Sequence, residues 1–177
     1  MGSAPGMETW DAIRSRRDVR QYDGRPIPER DLDLILEAGR RSPSSSNKQP
    51  WDFVVVTDRA ELGELAKVWQ HAQHVASSAA TIALVAPIPG DDYDRDSTHY
   101  DLGQAAMCIM LEATSLGVGS AHTKVEDQAV ARTILGFPAD HFCPWLIPLG
   151  YPADRPLRPI EHPDRRPFDD VVHRNRW

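Results

Sequence analysis

Residues Thr98–Leu116 constrain the fold of this chain more than any other stretch. The segment is rich in Ala and Met, and Ala105, Ala106, Met107, Ile109, Met110 and Leu111 set apolar side chains nearly all round its middle before Gly117 stops it. A helix that rests on a surface needs only one apolar stripe, whereas a helix apolar on every side must be covered on every side. In 177 residues there is room for one sizeable core, so this segment is predicted to be its central helix. Its small side chains predict close approach to another helix, such as its own copy in a homodimer.

Helical and strand patterns surround it. Residues 7–15 read as a short helix with Trp10 and Ile13 three apart on one face. A second helix runs from Pro28 to about Arg41. Pro28 suits its first position, Glu29 and Asp31 its first turn, and Leu32, Leu34, Ile35 and Leu36 its apolar face, while Arg40 and Arg41 complement the C-terminal dipole. Pro50–Thr57 is a β-branched strand, and Asp58–Glu61 has the spacing of a capping box that opens a helix through Leu62, Leu65, Ala66 and Trp69. A further helical piece spans His71–Ser78. Thr81–Ala86 is apolar without alternation, as expected of a strand covered on both faces, and Pro87 ends it. Pro89–Asp96 reads as a mobile acidic surface loop. Val118–His122 is a short strand or turn, Asp127–Leu135 a helix closed by Gly136, and Pro144–Tyr151 a last core strand. After Tyr151, Pro152, Pro156, Pro159, Pro163 and Pro167 punctuate an Arg-rich tail that cannot form long helices or sheet interiors and is expected to wrap over a surface, such as that of a partner subunit.

Composition narrows the function classes. Hydrophobic residues at 41% and charged residues at 26% describe a soluble globular protein, and no apolar run approaches the ~20 residues of a membrane span. Residues 1–6 read as a disordered leader without the pattern of a signal peptide, and residues 7–177 as a single domain, with the cytoplasm as the default location. Cys108 and Cys143 lie in apolar surroundings without metal or disulfide spacing, and read as buried free thiols. The net charge of −6 argues against nucleic acid as a partner. Its distribution is uneven: residues 1–50 carry nine Lys and Arg against eight acids, residues 51–154 five against fourteen, and residues 155–177 six against four. If the two ends meet, they make one anion site on an otherwise acidic protein, which suits a phosphate-bearing cofactor.

Two stretches carry the chemistry. Arg16-Arg17-Asp18-Val19-Arg20 follows the first helix, and Arg presents a planar fork that matches phosphate oxygens two at a time. Alone, such a run is most simply a solvated basic turn. The second stretch is the polar loop Pro43-Ser44-Ser45-Ser46-Asn47-Lys48-Gln49-Pro50-Trp51, which is too short and too abruptly followed by a strand to be a linker. Neither a Walker phosphate loop nor a Gly-x-Ser-x-Gly elbow occurs. His71 and His74 have the spacing of a helical metal pair, but no third ligand is visible and no metal is expected.

Together the two stretches resemble the nitroreductase family of flavin enzymes, in which an Arg-rich turn near the N-terminus is followed by a Pro-Ser-Ser-x-Asn-x-Gln-Pro-Trp loop. The match runs through Pro43, Ser44, Ser45, Asn47, Gln49, Pro50 and Trp51. The resemblance implies an α+β fold, a three-layer sandwich in which helices flank a central, mostly antiparallel sheet, with an extended C-terminal tail. It also implies a homodimer with FMN at the subunit interface, NAD(P)H as co-substrate, and a small-molecule acceptor reduced in ping-pong fashion. Arg16 and Arg17 would contact the FMN phosphate, and Arg20 would lie near the ribityl and pyrimidine end, where a positive charge raises the reduction potential. The Ser44–Gln49 loop would meet the flavin's polar edge from the other subunit. Gly117–Ser120 would pack against the ring and bring Ala121 and His122 near it, and Arg166, or Arg165 beside it, would reach the phosphate from the tail. No side chain need act as acid or base.

Asp18 departs from the Ser of many members and is similar to an acid in the related enzyme that fragments reduced flavin. That enzyme's loop differs from this one, however, and the simpler role for Asp18 is to orient Arg16 or Arg20 or to bond a ribityl hydroxyl. A flavin-binding protein without turnover, and a deazaflavin in place of FMN, are the other readings the resemblance leaves open.

Overall fold

The computed structural model describes residues 7–177; the expected leader 1–6 lies outside the described residues. Five strands form one sheet: β1 (Asp52–Val56), β2 (Ala80–Pro87), β3 (Gly119–Ser120), β4 (Thr123–Lys124) and β5 (His141–Gly150). Their order is β1-β2-β5-β3, with β4 also on β5, and every pairing is antiparallel. Five helices pack around it: α1 (Thr9–Ser15), α2 (Glu29–Arg40), α3 (Arg59–Leu65), α4 (Asp92–Ser115) and α5 (Gln128–Leu135).

Side-chain alternation along the two central strands sorts the core into two layers. Ile82, Leu84 and Ala86 of β2 and Ile147 and Leu149 of β5 face Ile35 of α2 and Leu102, Ala105, Ile109 and Ala113 of α4. Ala83, Val85, Cys143 and Leu146 face the other way, onto Leu62 and Leu65 of α3 and Ala131 of α5. β2 is therefore apolar throughout because both its faces are covered. Each fully buried Leu or Ile of these layers contributes roughly 1.5–3 kcal/mol. α2 crosses α4 at Gly39, where a Cβ would stand 2.7 Å from Cγ1 of Ile109, so only glycine lets the two backbones approach this closely. β5 tolerates Pro144 because the β2–β5 register shifts between Leu84 and Ala86, and the proline falls in that irregularity.

Four expectations need correcting. The acidic stretch Pro89–Asp96 is not a mobile loop along its length: Asp91 caps α4 by accepting the Asp94 amide at 2.8 Å, and Asp92 and Asp94 occupy the first turn. Acidic residues favour that position because it carries the positive end of the helix dipole, so polarity there marked a helix start. α4 is thus 24 residues long. It is also not covered on every side by this chain, since Met107 is 44% exposed and Tyr93 and Tyr100 more so. Trp10 and Ile13 of α1 likewise face outward, at 65% and 48% exposure. Pro28 precedes α2 as its cap residue rather than opening it, and the piece at His71–Ser78 is a short 3-10 turn, Gln73–Ser77. Asp58 does cap α3, accepting the amides of Ala60 and Glu61.

The tail first runs along the body. Tyr22 bridges Pro152, Ala153 donates to the Gln21 carbonyl at 3.0 Å, and Ile160 donates to that of Arg14 at 3.0 Å. Beyond Ile160 every residue is exposed. No described helix is long and apolar enough to cross a membrane.

Candidate functional site

The arginine packet leaves α1 as an extended segment laid against β3. Asp18 bridges Ser120 in parallel, and the Val19 amide donates to the Ser120 carbonyl at 2.9 Å. Alternation then buries Val19 and sends Asp18 and Arg20 to the opposite side. The contact is close: a Cβ on Gly119 would lie 2.7 Å from Cβ of Val19. Tyr22 locks the end of the segment, its hydroxyl donating to the Val19 carbonyl at 2.8 Å, and burial pushes that hydroxyl's pKa up.

Asp18 organises the packet. One oxygen accepts from Arg16 at 3.2 Å and the other from Arg20 at 2.8 Å, so two guanidinium groups flank one carboxylate. Arg17 points elsewhere, donating to Asp154 at 2.7 Å and to the Arg155 carbonyl at 2.8 Å, and thereby ties the tail to the packet.

Arg20 lines a cavity of about 460 Å³ together with Trp69, His71, Gln73, His74, His122 and Thr123. His122 is exposed and stands edge-on to Trp145, with ring centroids 5.9 Å apart. It also lines an apolar cavity of about 290 Å³ walled by Leu102, Gly103, Ala106, Met110, Trp145 and Ile147, with His99. Ala121 beside it is fully buried, its amide donating to the Pro148 carbonyl at 3.2 Å. Around the first cavity, Oγ1 of Thr123 and Nε2 of His74 are buried without a hydrogen-bond partner, as is Oγ of neighbouring Ser120. Unpartnered buried polar atoms are uncommon and mark places where a polar ligand can complete the set. Burial, and next the charge of Arg20, lowers the His74 pKa. A guanidinium at this wall also makes the His71–His74 pair a poor holder for a cation.

The Ser loop sits apart from the packet. Ser45–Asn47 forms a single 3-10 turn pinned to α4 by Asp101; the loop shares no hydrogen bond with Arg16–Arg20 among the described residues, and Gln49 lines a different cavity from Arg20. Pro43 accepts from Gln104 at 3.4 Å, Ser44 accepts the Gln49 amide at 2.9 Å, and Asn47 and Gln49 are exposed. Arg165 and Arg166 lie in the exposed tail, bonded only locally, to the carbonyls of Asp164 and Asp170. One chain therefore joins Arg16, Asp18, Arg20, Ala121 and His122, and leaves Pro43–Gln49 and Arg165–Arg166 facing outward elsewhere.

Residues 13–151 match the model of the nitroreductase family. The chain belongs to that family. An Archaeoglobus fulgidus protein provisionally named NADH dehydrogenase/NAD(P)H nitroreductase is 32% identical over 169 residues, covering 93% of this chain and 96% of its own length. The solved structure of an FMN-dependent nitroreductase from Clostridium difficile superposes with a TM-score of 0.81 at 25% identity, over 94% of this chain and 98% of that one. A Vibrio harveyi NADPH:FMN oxidoreductase, solved with NAD+, superposes with a TM-score of 0.81 at 25% identity, over 94% of this chain and 76% of its own. The nitroreductase fold of layered helices and antiparallel sheet is thus the fold of this chain.

Sequence reading missed His74 as a lining residue and Asp101 as a loop partner. An acid amid the apolar run of α4 was the available signal for Asp101. His74 had no comparable signal, because only folding sets its turn beside Arg20.

Proposed function

We propose that this nitroreductase-family chain is an oxidoreductase that holds FMN and uses NAD(P)H as electron donor to reduce an electron-poor small molecule. The observation that carries the reading is the packet itself: Arg16 and Arg20 are oriented by one carboxylate, and Arg20 borders a cavity fringed by the unpartnered Thr123 and His74 and by Ser120. These residues fit an anionic, polar-edged cofactor. The names of the relatives, an FMN-dependent nitroreductase and NADPH–flavin oxidoreductases, point the same way.

When bound, FMN would supply the redox chemistry: hydride acceptance from NAD(P)H and reduction of a nitroaromatic, quinone or enone in ping-pong fashion. Arg16 would neutralise phosphate charge, and Arg20 would place a cation at the ring's polar end, where it favours negative charge. Asp18 fixes both guanidinium groups in advance, so less entropy is lost on binding. His122 and Trp145 border the apolar cavity, which suits a flat acceptor. Arg17 joins the site through the tail it secures.

The exposed Ser loop, the exposed tail from Glu161 onward and the exposed side of α4 support a homodimer in which the partner's loop and tail complete each FMN site. Residues 7–177 would then act as one domain, in the cytoplasm.

Absorption spectra of protein loaded with FMN and desalted, before and after NADPH without oxygen, test the reading. A retained flavin spectrum that bleaches is expected, and a colourless protein would overturn it. Retained FMN that is destroyed in air after reduction would reveal flavin fragmentation, and retained FMN that never bleaches would reveal a binding protein. Arg16→Ala combined with Arg166→Ala should release the flavin, and unchanged occupancy would remove the phosphate assignment.

A further inference from the structure

Asp101 is a carboxylate at 1% exposure in the middle of α4, and its partners all come from neutral groups. Both its oxygens accept the Ser45 amide at 3.0 Å, one accepts the Ser45 hydroxyl at 3.2 Å, and Gln104 approaches at 3.4 Å. Lys48 lines the same side of the helix, yet pairs with Asp94 at 3.3 Å. Burying an acid without a cation is costly, and a neutral side chain would fill the same space at lower cost. The geometry it secures is unusual: Ser46, Asn47 and Gln49 have φ of 51°, 56° and 51°, three non-glycine residues in the left-handed region within four positions. Such strain persists only where surrounding contacts over-determine it. Within the loop there are four supports: the Asn47 amide to the Ser44 carbonyl at 2.9 Å, the Lys48 amide to the Ser45 carbonyl at 3.0 Å, the Gln49 amide to Ser44 Oγ at 2.9 Å and Gln49 Nε2 to the Asn47 carbonyl at 3.2 Å. The anchor to the body at Ser45 is Asp101.

We propose that Asp101 is the positioning residue of the flavin site: it holds the Ser44–Gln49 loop in its left-handed conformation, so that Ser44, Asn47 and Gln49 are presented outward, preformed, to the flavin's polar edge. The role rests on the FMN reading above. Charge is what the position requires, because a charge-assisted acceptor holds an amide more strongly than a neutral one, and Asn at this position would turn either its NH₂ or a weaker oxygen toward Ser45. The same turn of α4 carries Leu102 and Gly103, which wall the apolar cavity beside His122. Loop and cavity wall are thus set by one stretch of helix.

The test uses full-length wild-type and Asp101→Asn protein, with two readouts. Amide hydrogen exchange of residues 44–49 is measured without flavin, and the FMN dissociation constant by quenching of flavin fluorescence, both far below the melting temperature. Asp101→Asn is expected to speed exchange in the loop while leaving β2 and β5 protected, and to weaken FMN at least tenfold. Adding Ser46→Gly, which removes the steric cost of the left-handed backbone, should recover part of that affinity; a role confined to packing would not respond to this change. An Asp101→Asn protein with unaltered loop exchange, or with FMN affinity within twofold of wild type, overturns the proposal. So does an absent glycine rescue. If Asp101→Asn does not fold, Ser45→Ala removes the hydroxyl bond alone, and its smaller shifts in the same directions, again relieved by Ser46→Gly, decide the matter. Wild-type protein that takes up no FMN sinks the flavin reading instead, while loop exchange still shows whether Asp101 holds the loop.

Discussion

Arg20 donates to Oδ2 of Asp18 at 2.8 Å from two residues along the same extended segment, while the other oxygen of Asp18 receives Arg16. Residues two apart in extended backbone share a face, so an acid between two arginines at positions 16, 18 and 20 becomes a clamp only when that segment is laid flat. β3 is what lays it flat, through the bond from the Val19 amide to Ser120.

Replacing Asp18 should therefore act through its neighbours. Asp18→Leu removes two charge-assisted bonds and is expected to weaken FMN about tenfold, about 1.4 kcal/mol, with no new chemistry lost. Asp18→Ser keeps an acceptor and should retain FMN and NADPH oxidation within roughly threefold, since a single neutral bond changes little. Flavin titrations of both variants check this, and abolished turnover in Asp18→Ser with FMN still bound would show that the carboxylate does chemistry.

Gly119 lets the packet approach the sheet. Gly119→Ala would place a methyl carbon against Val19 at 2.7 Å, where backbone must move, and is expected to cost about 1–3 kcal/mol in urea unfolding. Because Val19 carries Asp18 and Arg20 with it, FMN retention should fall in the same variant. Wild-type stability and retention would show that the segment is free to shift.

His74 predicts a pH dependence. Its pKa is lowered from 6.5 by burial and then by Arg20. The folded state therefore holds fewer protons than the unfolded state once pH drops below 6.5, and stability must fall as pH falls through that window, levelling off below the folded pKa. Urea unfolding of flavin-free protein at pH 7.5 and pH 5.5 should show a smaller acid loss in His74→Gln than in wild type. Equal losses would show that His74 does not contribute to the acid sensitivity.

Met107 tests the assembly. It is an exposed apolar residue on a helix whose other side forms the core. Met107→Glu should convert a dimer to monomer in light scattering and release FMN together with it, because burying an unpaired charge at an interface is costly. A Met107→Glu dimer would move the interface away from this side of α4.

Burial also pushes the Cys143 thiol up to about 12, so Cys143 should stay unmodified by alkylating reagents at neutral pH in the folded protein. Mass spectrometry after brief iodoacetamide treatment reads this directly, and rapid labelling would contradict the packing around β5.

Local patterns carried the elements well where one physical rule acted alone. Asp58 caps its helix as its spacing requires, and β2 reads as buried on both faces because it is. The acidic run at Asp91–Asp96 misled because the same charges that favour solvent also favour a helix N-terminus, and only the continuous helix behind it decides between them. The Arg packet and the Ser loop were legible as motifs, since arginine spacing and the loop's residue types are properties of the chain itself.

Tertiary structure alone decided which of these meet. It set Arg17 on Asp154, brought Arg20 to His74, and seated the loop on Asp101, 56 residues away in sequence. Nothing local specifies such pairs, because each depends on the sheet order β1-β2-β5-β3, which brings distant segments side by side at hydrogen-bond range. The sequence by itself determined the elements and the kinds of groups available; the folded chain determined which carboxylate holds which donor.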